Sequence, residues 1–491
     1  MNLADLLLTP AAATPSAPAL RGESTVTYAE LADRSARLAA RLVGAGIAPG
    51  DRVALAAANG EPFVVAYLAV LQAGAIAVPL NPTSPPAEVR REMRPTAPKA
   101  VLCDSEALAD VGFAGVEAVV VSAGGQGLDD IEPIAATVDR ADDDVAVLLF
   151  TSGTAGPPKA AMLTHGNLAA NIGQVQAHPG LAIRPDDVGL GALPFFHIFG
   201  LNGVLGLVLA SGGSLVPVAH FDAAATLDVI RREHVTIVLA VPTMYAQWLA
   251  VADAPADSFA SVRLAVSGAA PLREEVARGM SERFGVSVYE GYGLTEASPI
   301  VTTSALLGGP PTRGSIGPPL PGVDVRLVDG DGADVLPGDP GELWCHGPNV
   351  FPGYWDDSEA TAHALTPDGW LRTGDMAVSG DRGQLSLVDR AKDLIIVSGF
   401  NVFPAEVEAV LRAHPDVLEA GVVGEPNDRT GETIVAYVVP EPGRHPSPET
   451  LQEFSAAALA RYKCPTRIEV VDELPRTLVG KVLRRKLRMD G

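Results

Sequence analysis

Short apolar segments alternate with helical ones through the first two thirds of this chain, and that alternation leaves few folds open. VALAA (53–57) precedes the helical EPFVVAYLAVLQAGA, and AIAVPL follows it as a strand. AVLLF (146–150), SLVPV (214–218), TIVLA (236–240) and RLAVS (263–267) continue the scheme, with helical sequence over 223–233 and after Pro242. Apolar strands separated by helices are the mark of parallel sheets covered on their faces. After Gly308 the rhythm changes. DVRLV (324–328) and ELWCH (342–346) sit among Gly and Pro with no helix between them, which predicts an antiparallel or barrel-like portion. A further change comes at Asp389–Lys392. Beyond it PAEVEAVLRAH reads as a helix, with Pro404 near its start and acids in its first turn. The remainder predicts a small α+β unit of about 100 residues, an ordinary domain size. At 491 residues the chain is too long for one core, so several domains are expected.

Charge and cysteine content narrow the function. A net charge of −23 gives nonspecific nucleic-acid binding no electrostatic support, so an anionic ligand must be held by a local cluster of N–H groups and cations. Cys103, Cys345 and Cys464 are scattered and form neither a metal-ligand spacing nor a disulfide framework. Asp5 and the lack of a basic start argue against a secretory leader. The longest apolar stretch, Pro62 to Leu80, contains Gln72, Gly74 and Pro79 and reads as a helix followed by a strand rather than a bilayer span. A soluble cytoplasmic protein is expected, with no transmembrane segment and no nucleic-acid partner, as a monomer or a homodimer.

The strand ending at Phe150 runs into TSGTAGPPK (151–159). Gly153 and Gly156 let backbone N–H groups approach an anion, Thr151, Ser152 and Thr154 add hydroxyls, and Lys159 adds a mobile positive charge. An ordinary strand-to-helix loop has the same composition. The P-loop pattern G-x-x-x-x-G-K-[ST] is absent, because Pro157 and Pro158 separate Gly156 from Lys159 and Ala160 follows the lysine.

Five other stretches carry chemistry-bearing residues, each with a plainer reading. In GYGLTEAS (291–298), Tyr292 can stack on a base and Glu296 can hold a hard cation; a turn with a solvated acid has the same look. In WLRTGDMA, Asp375 follows Gly374 and can accept ribose hydroxyls; in VDRAKD, Arg390 acts likewise on the sugar or forms a surface ion pair. In PFFHIFG, His197 is either a packed histidine or an imidazole beside a reacting carboxylate. In PRTLVGKVLRRKL, Lys481 after Gly480 belongs to a basic solvated tail or to a site.

Taken together and in this order, TSGTAGPPK, PFFHIFG, YGLTE, GEL, TGD, DRAKDLIIVSG and PRTLVGK make the chain similar to the adenylate-forming superfamily of acyl- and aryl-CoA synthetases, luciferases and nonribosomal adenylation domains, from TYAELADRSARLAARL (27–42) to Lys481. The resemblance implies a mixed α/β and β fold: a large N-terminal domain (1–389) of two α/β subdomains plus a distorted β-barrel, a hinge (390–392), and a small mobile α+β C-terminal domain (393–491). It implies ATP, Mg²⁺ and CoA. It places Thr151, Ser152, Gly153, Thr154, Gly156 and Lys159 on the β- and γ-phosphates. Gly268, Ala269 and Ala270, with Glu290, Gly291, Tyr292 and Gly293, wall the adenine and acyl sites. Thr295 touches phosphate and Glu296 holds Mg²⁺. Asp375 and Arg390 hold the ribose, and Lys392 matches the hinge. Ser398 and Gly399 line a pantetheine tunnel, and Lys481 contacts the α-phosphate and the acyl carboxylate. Ala155 and Ala160 depart from the usual residues of the phosphate loop, and both stay small. The expected reaction joins a carboxylic acid to AMP with release of pyrophosphate, then passes the acyl group to the CoA thiol.

The acid is less defined. GFNVFPAEVE (399–408) looks like fatty-acyl-CoA synthetases, and Gly291 stands where malonate-activating relatives carry an arginine, so a monocarboxylic acid is expected. A medium- to long-chain fatty acid is the first expectation, placing the enzyme in fatty acid and lipid metabolism. A coumarate- or benzoate-like aryl acid is the alternative, and a fatty-acyl-AMP ligase that loads a carrier protein is a third reading. A non-catalytic binding protein is disfavoured by Lys481, Glu296 and Asp375.

Overall fold

The computed structural model describes residues 1–104, 117–120, 127–151, 159–312, 314–390, 393, 395–397, 400–427, 430–476 and 482–487. The chain divides into two compact units, Met1–Asp324 with Cys345–Leu371, and Val325–Trp344 with Arg372–Gly491.

The first unit is built on two sheets. Its strands are β1 (Pro18–Leu20), β2 (Val26–Thr27), β3 (Arg52–Ala56), β4 (Ile76–Pro79), β5 (Ala100–Cys103), β6 (Glu117–Val120), β7 (Val145–Thr151), β8 (Lys159–Thr164), β9 (Val188–Gly191), β10 (Ser214–Pro217), β11 (Ile237–Ala240), β12 (Leu264–Ser267), β13 (Val288–Gly293) and β14 (Ile300–Thr303). Six form one sheet in the order β6-β5-β3-β4-β7-β8, and eight form the other in the order β14-β13-β12-β11-β9-β10-β1-β2. Pairing is parallel through β6-β5-β3-β4-β7 and through β13-β12-β11-β9-β10-β1. Antiparallel strands cap the edges, β8 on β7, β14 on β13 and β2 on β1. The parallel α/β expectation holds.

Local sequence accounts for the helices between these strands. Tyr28–Gly44 starts in a capping box, Thr27 with Glu30, and buries Tyr28, Leu31, Leu38, Ala39 and Leu42 along one stripe. The apolar stretch 62–80 is the expected helix and strand, Glu61–Gln72 and β4, joined through Gly74 at φ +71°. Phe63 to Gln72 are buried without a break, so this helix has no polar face. Helix His165–Gln176 opens on a second capping box, Thr164 with Asn167. Among the described residues no helix is long and apolar enough to cross a membrane.

The second unit holds two sheets. β15 (Asp324–Val328), β16 (Gly341–His346), β17 (Leu371–Ser379) and β18 (Leu385–Arg390) make a four-stranded sheet in that order. It occupies the stretch read from sequence as antiparallel or barrel-like, and β17 and β18 run antiparallel. β19 (Ile395–Val397), β20 (Phe400–Val402), β21 (Val417–Asn427), β22 (Gly431–Pro440) and β23 (Arg467–Val470) form the other, in the order β20-β19-β22-β21 with β23 beside β22. Helices Pro404–Arg412 and Pro448–Ala458 cover it, burying Val407, Leu411 and Leu451 against Val422, Ala436 and Val438.

Candidate active site

The first unit gathers the candidate residues at strand ends. Thr151 and Lys159 are partners across β7 and β8, so the chain leaves and re-enters the sheet at one place. The stretch 151–159 therefore joins two antiparallel strands, not a strand and a helix. KAAMLT has too few apolar alternations to read as a strand alone; pairing with β7 makes it one. Ser152, Gly153, Thr154 and Gly156 lie outside the described residues.

His197 caps the one-turn helix Ile198–Gly200, its Nδ1 accepting from the Phe199 N–H at 3.3 Å. That bond places the ring proton on Nε2. Desolvation lowers its pKa to about 4, so the imidazole is neutral at neutral pH. The Phe199 ring lies against two glycines: a Cβ added at Gly268 would come within 3.0 Å of it, and one added at Gly203 within 2.9 Å.

β12 ends beside β13 with Ser267 opposite Glu290, and β13 runs on to Gly293. Gly268 is buried, while Ala269, at φ +70°, is exposed. The Ser267 hydroxyl is buried and has no hydrogen-bond partner among the described residues, as expected of a group that meets a ligand. Glu290 is raised in pKa by burial, and its carboxylate accepts from the N–H groups of Leu272 and Gly314. It braces the two loops flanking β13. Tyr292 is buried. Gly291 has ordinary space around it, but a Cβ at Gly293 would sit 2.1 Å from the Pro299 carbonyl oxygen.

Thr295 and Glu296 follow on a single 3₁₀ turn, Thr295–Ala297. Its carbonyls are clamped: Asn349 donates to Ala297 at 2.8 Å, Phe351 N–H to Glu296 at 2.9 Å, and Asn202 to Ser298 at 2.7 Å. The Tyr354 hydroxyl donates to Glu296 Oε1 at 2.7 Å, and Lys159 Nζ stands 5.3 Å from the centroid of the same ring. Tyr354 escapes a sequence reading that follows charge and hydroxyls. Its signal is FPGYW (351–355), a Pro-Gly turn loaded with aromatics. The Glu296 carboxylate, a candidate hard oxygen ligand, is held by a neighbour, and no cluster of three or more His, Cys, Asp or Glu suited to a metal occurs among the described residues. One fixed carboxylate without a protein cage suits Mg²⁺, which keeps waters and takes phosphate oxygens.

The second unit carries the candidate ribose residues. Asp375 and Arg390 are cross-strand partners on β17 and β18. Gly374, at φ +69°, turns the chain so that its N–H reaches Glu342 at 3.0 Å, and the Asp375 N–H reaches Thr373 Oγ1 at 3.1 Å. Asp375 is largely buried. Lys392, Ser398, Gly399 and Lys481 lie outside the described residues.

Comparison with known proteins places the chain in a family. The AMP-binding enzyme model matches residues 8–355 and the AMP-binding enzyme C-terminal domain matches 406–481. A feruloyl-CoA synthase from Amycolatopsis is 39% identical over 97% of this chain and 96% of its own. A long-chain-fatty-acid–CoA ligase from Yersinia pestis is 36% identical over 94% and 89%. Among solved structures, ATP-bound MatB from Rhodopseudomonas palustris superposes with a TM-score of 0.92 at 34% identity, covering 100% of this chain and 99% of that one. The chain belongs to the AMP-binding enzyme family, as one of the adenylate-forming acyl- and aryl-CoA synthetases, enzymes that use ATP, Mg²⁺ and CoA.

Proposed function

We propose that the protein converts an aromatic monocarboxylic acid to its CoA thioester through an acyl-adenylate. The carrying observation is the wall at the ends of β12 and β13. There the Phe199 ring covers the side-chain-free backbone of the buried Gly268, and the Gly291 carbonyl lies 3.6 Å from a Cβ placed on Gly268. Neither GAAPL nor VYEGYGLTE carries a basic residue that would hold a second carboxylate. A flat, uncharged wall suits a planar ring. The similarity to a feruloyl-CoA synthase supports the same reading. A medium- to long-chain fatty acid is the second reading, supported by the similarity to long-chain fatty-acid ligases. The cytoplasm, where ATP and CoA are supplied, is the proposed location.

In the first step an oxygen of the acid's carboxylate bonds to the α-phosphorus of ATP, and the bond from that phosphorus to the β-phosphate bridge breaks, releasing pyrophosphate. The nucleophile is already ionised at neutral pH, so no general base is needed. The neutral His197 presents Nε2–H, a donor that orients the acid without adding a charge. Lys159 and the loop before it offset phosphate charge, and Glu296 with Thr295 holds the metal end of the nucleotide. Mg²⁺, when bound, supplies charge neutralisation of the phosphates. Lys481 takes the α-phosphate and the acyl oxygen in this step, and Asp375 and Arg390 take the ribose. In the second step the CoA sulfur attacks the acyl carbon, the bond to the AMP oxygen breaks, and the thiol proton leaves to solvent.

A panel of benzoic, cinnamic and C8–C16 fatty acids, assayed with and without CoA for pyrophosphate, AMP and thioester, tests this. Aryl acids are expected to give the highest kcat/KM and to need CoA for thioester release. Preference for the alkyl acids selects the second reading. Transfer to a carrier-protein pantetheine but not to CoA would exclude both. Lys481→Ala is expected to abolish ATP–pyrophosphate exchange while sparing thioester formation from supplied acyl-AMP.

A further inference from the structure

FPGYW is none of the segments that carry the family resemblance, yet it threads between β8 and the Thr295–Ala297 turn. The Gly353 carbonyl accepts from Met162 N–H at 3.0 Å, and Trp355 N–H donates to Ala160 at 2.8 Å, so the segment is laced to β8 immediately after Lys159. Tyr354 N–H is held by Thr361 Oγ1 at 2.9 Å, and Phe351 packs edge-on to its ring with centroids 5.0 Å apart. Phe351 N–H also binds the Glu296 carbonyl. The ring is therefore fixed by both of the elements that carry the charged groups.

We propose that Tyr354 is a positioning residue for the magnesium–nucleotide complex: its hydroxyl aims the Glu296 carboxylate and its ring face locates the Lys159 ammonium. A carboxylate has about four acceptor sites, and the phenol takes one on Oε1, which fixes the rotation of the group. The phenol is the donor of this pair, since an ionised carboxylate can only accept. The ring face attracts the ammonium by its quadrupole without neutralising it, which leaves the full charge for phosphate. A carboxylate partner in the same place would compete with the phosphates. Tyrosine supplies both contacts from one rigid side chain.

This inference rests on the reading that Glu296 serves the metal, and the experiment separates the two. Binding of ATP is measured by titration calorimetry on the full chain, with Mg²⁺ and with EDTA, beside thermal melts. Tyr354→Phe keeps the ring and removes one hydrogen bond to a charged group, so it is expected to weaken Mg·ATP binding about tenfold and metal-free ATP less than twofold. Tyr354→Leu also removes the ring and is expected to weaken both forms. Unchanged Mg·ATP affinity in Tyr354→Phe overturns the proposal, and so does equal weakening with and without metal, which marks a merely structural role. If Glu296→Gln loses the Mg²⁺ dependence while Tyr354→Phe keeps it, Tyr354 has no positioning role and the metal reading stands. If Glu296→Gln keeps the dependence, the metal reading fails, and this proposal with it.

Discussion

Arg484 donates through Nη2 to both carboxylate oxygens of Glu408, at 2.9 and 3.0 Å, and Glu408 also accepts the Val422 N–H at 2.9 Å. Asp393 lies 3.3 Å from Arg484 Nη1. Both partners are largely buried, the side chains 18% and 10% exposed, so removing one leaves a desolvated charge behind. Arg484→Met is expected to cost about 3 kcal/mol, a drop of several degrees in the melting transition of the second unit. Calorimetry checks it. Arg484→Lys keeps charge but not the fork geometry and should recover only part of the loss. A melt indistinguishable from wild type in Arg484→Met would show the pair to be energetically idle.

His165 makes stability fall in acid. It is fully buried, its Nδ1 accepts the Leu3 N–H at 3.0 Å, and its Nε2 has no partner among the described residues. Desolvation, then Arg140, lowers its pKa to about 4. The unfolded histidine titrates near 6.5. Between those values the unfolded chain binds the extra proton, so stability is full above about pH 6.5 and declines as pH falls toward 4. Denaturant midpoints across pH 4–7.5 should show this slope, reduced by close to one proton in His165→Asn, whose side-chain oxygen can still accept from Leu3. An unchanged slope in that variant refutes the assignment.

What was legible from sequence follows from how each signal arises. The parallel sheets were readable because burial on both faces writes unbroken apolar runs such as IVLA (237–240). The helix starts at Tyr28 and His165 carry Thr-x-x-Glu and Thr-x-x-Asn boxes, which the reading by apolar pattern passed over. β8 was not readable as a strand, because an edge strand is made by its partner rather than by its own composition. Glu296 and Lys159 were readable as charges in soft turns. Tyr354 was not, since its role comes from a chain crossing that unites positions 159, 296 and 354, and no local pattern records that. Nor could sequence tell that Glu290 is occupied in bracing two loops.

A neutral His197 sets the expected pH profile. With a pKa near 4, it does not change charge between about pH 5.5 and 8, so kcat/KM for the acid should show no limb near 6.5 from this group. Losing the Nε2–H donor should lower kcat/KM by about 10²-fold in His197→Ala, by analogy with removal of one preorganised donor. Glutamine, which also offers an N–H, should restore part of it. A limb near pH 6.5 in the wild type that vanishes in His197→Gln would show that the imidazole titrates in the working range.

Gly293 is the position where a single methyl should do most damage. A Cβ there would lie 2.1 Å from the Pro299 carbonyl oxygen and 2.8 Å from its carbon, both main-chain atoms that cannot swing aside. The same carbonyl accepts the Leu294 N–H at 3.0 Å and so closes the turn that presents Thr295 and Glu296. Gly293→Ala must push β13 and β14 apart at this point, and overpacking of this kind costs about 1–3 kcal/mol. Because the displaced turn carries Glu296, the carboxylate proposed to hold the metal, the pyrophosphate-forming rate should fall more than tenfold, while the melting temperature falls by only a few degrees. Gly173 is the control: it lies inside helix His165–Gln176 with nothing within 4 Å of its added Cβ. Gly173→Ala should leave the rate alone and raise stability by about 0.5–1 kcal/mol, the helical cost of glycine. Parallel exchange assays and melts of the two variants decide the matter. If Gly293→Ala turns over like the control, the turn is soft, and the contact with Pro299 does not set the position of Glu296.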